Sequence, residues 1–290
     1  MKVVRLNVPV VVVGNITSGG SGKTPLVLHL ACQLRTHGRR PGVVSRGFGR
    51  RDTAATEVFP DSEVSLVGDE PLLIRCKGGL PVFVGRHRVD AARALLANHP
   101  DCDVILCDDG LQHYALGRDV EIAVLDRRGL MNGLPLPAGP LREPARRMRD
   151  ADAIVLNGLD SFQSGGARVF RMKLAGEQFH LLGDESRQAS ASDLAGLHLH
   201  AVAGIGDPQR FFDQLRALGL QCDCHAFADH HRYAASELEF RGDAILTTEK
   251  DAVKFTGLSC LPVWVLPVEA QVEPDLACFV LEKINGSASA

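Results

Sequence analysis

Eight residues near the start of the chain, Thr17-Ser18-Gly19-Gly20-Ser21-Gly22-Lys23-Thr24, bring together the groups needed to hold a polyphosphate. Glycines let backbone N–H groups approach phosphate oxygens closely, and a helix that follows adds its positive end. Lys23 can reach the β- and γ-phosphates, and the Thr24 hydroxyl can ligate Mg²⁺. The usual pattern has glycine where Thr17 stands, so the match is incomplete. Gly14, Gly19, Gly20 and Gly22 nonetheless surround the loop. A β-branched run at 10–13 precedes it, the pattern of a strand buried on both faces, and Pro25 and an apolar stripe of Leu26, Val27, Leu30, Ala31 and Leu34 follow as a helix.

Acids come next. Asp108-Asp109 ends an expected strand at 104–107, where a phosphate-loop enzyme holds its magnesium; two aspartates there can also serve as turn or capping residues. Asp69-Glu70 lies within Val67-Gly68-Asp69-Glu70-Pro71 and reads either as a helix cap or as a general base for an acceptor hydroxyl. Asp229-His230-His231 falls in an expected loop of the second half, as surface histidines or as groups that domain closure brings to the phosphate site. Two basic clusters remain: Arg46 with Arg50-Arg51, and Arg142, Arg146, Arg147 and Arg149. Arginine grips phosphate bidentately, so either suits an anionic acceptor or a headgroup, with a solvated face as the plain alternative for 146–149.

The elements that must position these residues alternate. Strands are expected at 42–45, 82–84, 104–107, 122–125 and 153–156, with a helix at 88–97, giving a mostly parallel sheet covered by helices. After residue 157 the pattern changes. Alternation at 168–174 and again at 179–182 suggests a β-hairpin, and 183–193 reads as a polar linker. A second α/β unit follows, with strands at 200–203, 244–247 and 263–266 and a helix entered through Asp207-Pro208 and ended at Gly219. The expected fold class is α/β, a P-loop NTPase-like parallel-sheet core (1–166) joined by a β-hairpin and linker (167–193) to a smaller α/β domain (194–290), with a frayed tail at 286–290.

Composition excludes several classes. The 290 residues are 45% apolar and 23% charged, which rules out disorder. With 32 Lys and Arg against 35 Asp and Glu, the net charge of −3 provides no general attraction to nucleic acid. No run reaches the roughly 18 apolar residues of a membrane span. The eight cysteines hold no C-x-x-C pair, and Cys222-x-Cys224 lacks the other ligands of a zinc site, which fits incidental thiols in a reducing, cytosolic setting.

The ordered motifs resemble the tetraacyldisaccharide 4'-kinase family closely. Residues 12–25 look like its phosphate loop, including the missing first glycine. Ser45-Arg46-Gly47-Phe48-Gly49, Val67-Gly68-Asp69-Glu70-Pro71, Gly85-Arg86, Asp108-Asp109-Gly110-Leu111-Gln112-His113, Pro137-Ala138-Gly139-Pro140-Leu141-Arg142-Glu143-Pro144, Ala203-Gly204-Ile205-Gly206, Phe227 with Asp229-His230-His231, and Thr248-Glu249-Lys250-Asp251 continue the series over roughly 8–268. The resemblance implies a kinase of lipid A biosynthesis that moves the ATP γ-phosphate to the 4'-hydroxyl of a tetraacylated disaccharide 1-phosphate. It implies ATP and Mg²⁺ as cofactors, a phosphate site at Thr17, Ser18, Gly19, Gly20, Ser21, Gly22, Lys23 and Thr24, and Thr24 with Asp108 at the metal, the choice between Asp108 and Asp109 staying open. Asp69 matches the base, assisted by His230, with His231 as the alternative; Lys23 and Asp109 complete the catalytic set. Glu70, Arg86, Gln112 and Glu143 fall in motifs near the acceptor.

The expected setting is a monomer in peripheral contact with the cytoplasmic face of the inner membrane, with a lipid disaccharide as substrate and no nucleic acid. Family members usually begin with a membrane-embedding helix, whereas only residues 1–8 precede the first strand here. Docking then falls to a patch on the second domain or to the 142–149 region. Two other readings use the same residues: a nucleotide hydrolase that inserts a metallocentre or cofactor, and a nucleotide-operated switch without enzymatic activity.

Overall fold

The computed structural model of the chain describes residues 2–50, 52–255 and 257–287. Arg51 of the basic cluster and the last three residues of the expected tail lie outside the described residues. The first half contains β1 (Val10–Gly14), α1 (Lys23–Thr36), β2 (Pro41–Ser45), β3 (Thr56–Glu57), α2 (Val64–Val67), α3 (Asp69–Gly78), β4 (Val82–Val84), α4 (Arg88–Asn98), β5 (Val104–Asp108), β6 (Val120–Asp126) and β7 (Ala153–Asn157). Then come β8 (Arg168–Ala175), β9 (Phe179–Leu181), β10 (Asp184–Ala189), α5 (Ala191–Leu194), β11 (Leu199–Ala203), α6 (Pro208–Ala217), β12 (Cys222–Ala226), β13 (Ala244–Thr248), α7 (Glu249–Ala252), β14 (Val263–Leu266), β15 (Glu269–Glu273) and α8 (Leu276–Ser287). These fall into two compact units: the residues up to Leu174 with those from Ala270 onward, and Ala175–Glu269.

The first unit carries a nine-stranded sheet in the order β15-β8-β7-β6-β1-β5-β2-β4-β3. From β8 through β4 the pairing is parallel, and the short β3 runs antiparallel to β4. β1, β2, β5 and β7 are buried at every residue, as continuous apolar runs require when helices cover both faces of a parallel sheet. Helix α1 buries the expected stripe of Leu26, Val27, Leu30, Ala31 and Leu34. It begins at Lys23, so Pro25 sits inside the first turn, where its missing N–H removes no intrahelical bond. Gly38, at φ 78, lies just past its end.

The second unit has a six-stranded sheet in the order β10-β9-β14-β13-β11-β12. Its β12, β11, β13 and β14 are parallel, while β9 runs antiparallel to β14 and to β10. Helix α6, with Pro208 in its first turn, buries Phe211, Phe212 and Leu215 on one face of this sheet. Phe255, Leu238 and Tyr233 cover the other.

The expected hairpin does not form. β8 pairs in parallel with β7, from Ala153 opposite Arg168 to Asn157 opposite Met172, whereas β9 joins the second sheet. The alternation seen in 168–174 instead reflects a strand covered on one face: Phe170 and Met172 are buried, and the Phe170 ring lies 5.5 Å from that of Phe279 in α8. The stretch 183–193, expected as a linker, contains β10, whose first five residues are exposed. An outer strand paired on one side can be that polar. The observed units therefore differ from the expected 166/193 divisions, with most of β8, most of β15 and α8 belonging to the first. All eight cysteines are free thiols, and no described helix is long and apolar enough to cross a membrane.

If β8 and α8 close the first unit's core, Phe170→Ala should lower its stability in urea by about 3–5 kcal/mol. A loss under about 1 kcal/mol would contradict this packing.

Candidate active site

β1 sits at the centre of the first sheet, and the chain leaves it in one direction and returns on the other side. The crossover from β1 passes β5 to reach β2, whereas the connection from β5 leads to β6 across β1. Such a reversal leaves a crevice outside the carboxyl ends of the strands, which is where α/β sheets bind ligands. The loop 15–22 follows β1 there, and Asp108, paired in register with Val13, ends β5 beside it.

The loop is held from three sides. The buried Asn15 donates to Thr17 Oγ1 (3.2 Å) and Gly19 O (3.4 Å), while its Oδ1 accepts from Lys23 Nζ (3.2 Å). Asn157, at the end of β7, donates to Ser21 O at 2.9 Å. Arg128, fixed by Asp126 through contacts of 2.5–3.1 Å, donates to Gly20 O at 3.3 Å. On the third side Ser18 N donates to Pro140 O (2.9 Å) and Arg142 N to Ile16 O (2.6 Å). Thr17 forms an antiparallel bridge with Leu141, an extended backbone that needs no glycine, which explains the departure from the usual pattern. Gly22 caps the 14-residue α1 without a side-chain acceptor, so the helix presents N–H groups and its positive end to the loop. Ser21 Oγ is buried in this cradle without a hydrogen-bond partner among the described residues.

The two aspartates have opposite electrostatics. Asp108 is fully buried; its Oδ2 accepts from Ser45 Oγ at 3.1 Å, and its Oδ1 has no hydrogen-bond partner among the described residues. Burial, then the charges of Glu70 and Asp109, push it up to about 7 against the pull of Lys23 and Ser45. Burial also acts on Asp109, but Lys23 (3.4 Å) and Arg142 (2.9 and 3.0 Å) outweigh it and hold this carboxyl below its ordinary value. Asp109 adopts φ 48, a strained left-handed backbone. A buried carboxylate oxygen without a hydrogen-bond partner among the described residues at the end of β5, and a hydroxyl, Thr24, in the first turn of α1, are oxygen donors of the kind a hard cation such as Mg²⁺ takes.

The remaining expected residues are distributed as follows. Asp69 is buried at the first residue of α3, and its Oδ1 accepts from Glu70 N at 2.9 Å, so it does serve the helix start. Glu70 is near enough to act on Asp108. Gln112 donates to Asn15 O (3.2 Å) and to Glu143 (2.7 Å), and Tyr114 also donates to Glu143. Arg86 is exposed. Of the basic residues, Arg142 is engaged by Asp109, Arg147 makes two 2.7 Å bonds to Glu121, and Arg50 folds back onto Ala54 O and Thr56. Only Arg146 and Arg149 of the 146–149 set are exposed. Within the second unit, Lys250 bonds Asp229 (2.9 Å) and lies 3.5 Å from His230, whose φ is 61. His231 bonds Glu237 at 3.0 Å and packs on Phe227 and Tyr233, a structural environment.

Several residues of the site were not singled out from the sequence. Asn15, Asn157 and the Asp126–Arg128 pair buttress the loop; the signal available was a polar residue at the end of an apolar strand. The buried Arg88 bonds Gly85 O at 2.9 Å. His113 is held down to about 4 by burial and by the charges of Arg88 and Arg46, against Asp109, so it is neutral at neutral pH.

A family model described as Tetraacyldisaccharide-1-P 4'-kinase matches residues 1–285. The chain is 51% identical over 285 residues to the tetraacyldisaccharide 4'-kinase of Dechloromonas aromatica, covering 97% of this chain and 86% of that one. It is 49% identical over 290 residues to the corresponding protein of Aromatoleum aromaticum, with 98% and 86% covered. Its fold is similar to that of LpxK from Aquifex aeolicus, solved in complex with ATP, with a TM-score of 0.79 at 30% identity over 99% of this chain and 90% of that one.

Two glycines with left-handed backbones separate loop geometry from generic strain. A Cβ on Gly22 (φ 90) would stand 2.4 Å from Asn157 Nδ2 and 3.1 Å from Met172 Cε, whereas one on Gly38 (φ 78) meets nothing within 4 Å. Gly22→Ala should weaken nucleotide binding at least about tenfold by equilibrium titration, and Gly38→Ala should cost only about 1 kcal/mol of stability. Equal nucleotide affinity in the two variants would contradict the loop's assigned role.

Proposed function

The chain belongs to the tetraacyldisaccharide-1-P 4'-kinase family, and from that premise we propose how its own residues carry out the reaction. The enzyme transfers the γ-phosphate of ATP to the 4'-hydroxyl of tetraacyldisaccharide 1-phosphate in lipid A biosynthesis. The observation that carries the assignment of roles is Asp108 Oδ1, a buried carboxylate oxygen without a hydrogen-bond partner among the described residues, in the field of Lys23.

Phosphoryl transfer asks a protein mainly for positioning and for stabilisation of charge on the transferred group. The backbone N–H groups of Thr17, Gly19, Gly20, Ser21, Gly22 and Lys23, with the start of α1, take the phosphates of ATP, while Ser18, whose N–H donates to Pro140 O, anchors the loop that presents them. Lys23, braced between Asn15 and Asp109, meets the charge on the γ-phosphoryl oxygens. Thr24 and Asp108 would hold Mg²⁺, which neutralises β- and γ-phosphate oxygens when bound. Asp109 is the group that orients Lys23 and Arg142. Asp69 accepts the proton of the 4'-hydroxyl, and His230 assists it, as the resemblance implies. His230 is favoured over His231 because His231 is already committed to Glu237 and an aromatic cluster. Glu70, Arg86, Gln112 and Glu143 bind the acceptor.

The setting is a monomer in peripheral contact with the cytoplasmic face of the inner membrane. The segment after β6 supports the membrane contact: Met131, Leu134 and Leu136 are each about half exposed or more (59%, 49% and 59%), and the same segment pairs with the phosphate loop at Pro140 and Leu141. Apolar side chains there would meet acyl chains where the acceptor must enter.

Transfer of labelled γ-phosphate to the disaccharide in detergent micelles should require Mg²⁺ and stop with EDTA. It should vanish in Lys23→Ala and fall about 10²–10⁴-fold in Asp69→Asn. His230→Ala should lower the rate much more than His231→Gln does. ATP hydrolysis without lipid product, or full activity in Asp69→Asn, would overturn the assignment.

A further inference from the structure

The second unit carries a cluster with no part in phosphoryl transfer. β11 and β12 run parallel at one edge of its sheet, with His200 opposite Asp223 and Val202 opposite His225. Because strand side chains alternate with period two, His198, His200, Asp223 and His225 share one face. His198 Nε2 lies 2.9 Å from Asp223 Oδ2, His200 Nδ1 lies 3.9 Å from the same oxygen, and His200 Nδ1 lies 3.1 Å from His225 Nε2. One ligand atom each from His198, His200 and Asp223 falls within 4.8 Å of the other two.

His200 is set up as a ligand. Its Nε2 lies 3.1 Å from the Arg241 carbonyl, which can only accept, so in the neutral ring the proton sits on Nε2 and the Nδ1 lone pair faces Asp223 and His225. A backbone carbonyl that fixes the far nitrogen is the usual outer support of a metal-binding imidazole. The supporting strap is built closely: a Cβ on Gly242 would stand 2.8 Å from His200 Nε2, and Phe240 stacks on both His200 and His225 at 4.4 and 4.3 Å. Zn–N bonds of about 2.0–2.1 Å in a tetrahedron place ligand atoms about 3.3 Å apart. The observed 2.9, 3.1 and 3.9 Å bracket that spacing.

We propose that His198, His200 and Asp223, with His225 beside them, form a second metal site, selective for a nitrogen-preferring divalent ion such as Zn²⁺. The ion fastens the edge strand β12 to β11. Imidazole nitrogens favour zinc over Mg²⁺, so this site does not compete for the metal of the phosphate site.

The test titrates the full, untagged chain with Co²⁺ in the absence of nucleotide and follows the visible band of tetrahedral Co²⁺. One equivalent should bind, Zn²⁺ should displace it, and Zn²⁺ should raise the melting temperature. His198→Gln combined with Asp223→Asn, both at exposed positions, should weaken binding at least tenfold and abolish the thermal shift. Cys222→Ser with Cys224→Ser should change neither. Absence of a tetrahedral band, its survival in the His198/Asp223 variant, or its loss in the cysteine variant would overturn the proposal.

Discussion

A carboxylate sealed at the end of a buried strand governs the first unit. Asp108 has given up water, and two further acids, Glu70 and Asp109, raise its cost of ionisation. A single Ser45 bond and the more distant Lys23 offset only part of that cost. With its folded value raised to about 7 from 3.8, the group favours the fold while protonated and subtracts stability as pH rises through that window. A divalent cation bound there would remove the penalty, and the energy withheld from folding would become energy available for binding. Strain of this kind is retained at functional sites.

The surrounding geometry follows from that charge. Lys23, whose charge acts on Asp108, is held between Asn15 and Asp109. Asp109 is in turn pinned by Arg142, whose own backbone is tied to Ile16 of the loop. Asn157, Arg128 and the Arg142 N–H fix the carbonyls of Ser21, Gly20 and Ile16, and Pro140 O accepts the Ser18 N–H, so the loop is tied down on both kinds of backbone group. Each support comes from the end of a parallel strand or the segment after it, so the sheet transmits its rigidity to the site.

Much of this was legible in the sequence because the decisive signals are local. Val10 to Val13 is a continuous β-branched run with a glycine-rich turn directly after it, and both strand and loop lie where those residues require. Asp108-Asp109 and Lys23-Thr24 stand out by residue type and by their positions at the end of β5 and the start of α1. The supports were not legible: Asn157 and Arg128 reach the loop from more than 100 residues away, and no local pattern encodes that. The hairpin misreading has the same origin. Alternation in 168–174 says that one face is covered, but not whether an adjacent antiparallel strand or a distant parallel one pairs with it. Likewise β10 is polar because only one edge is paired, and polarity alone reads as linker.

The central claim is that Asp108 is a cation-seeking charge in a preformed phosphate site. Titration of its side-chain carboxyl carbon by ¹³C NMR, with Asp108→Asn used for assignment, tests it directly. A midpoint near 7 is expected in the free protein, falling into or below the ordinary carboxylate range when Mg²⁺ and a non-hydrolysable ATP analogue are added. A midpoint near 3.8 in the free protein, or one unmoved by Mg²⁺ and nucleotide, would contradict it.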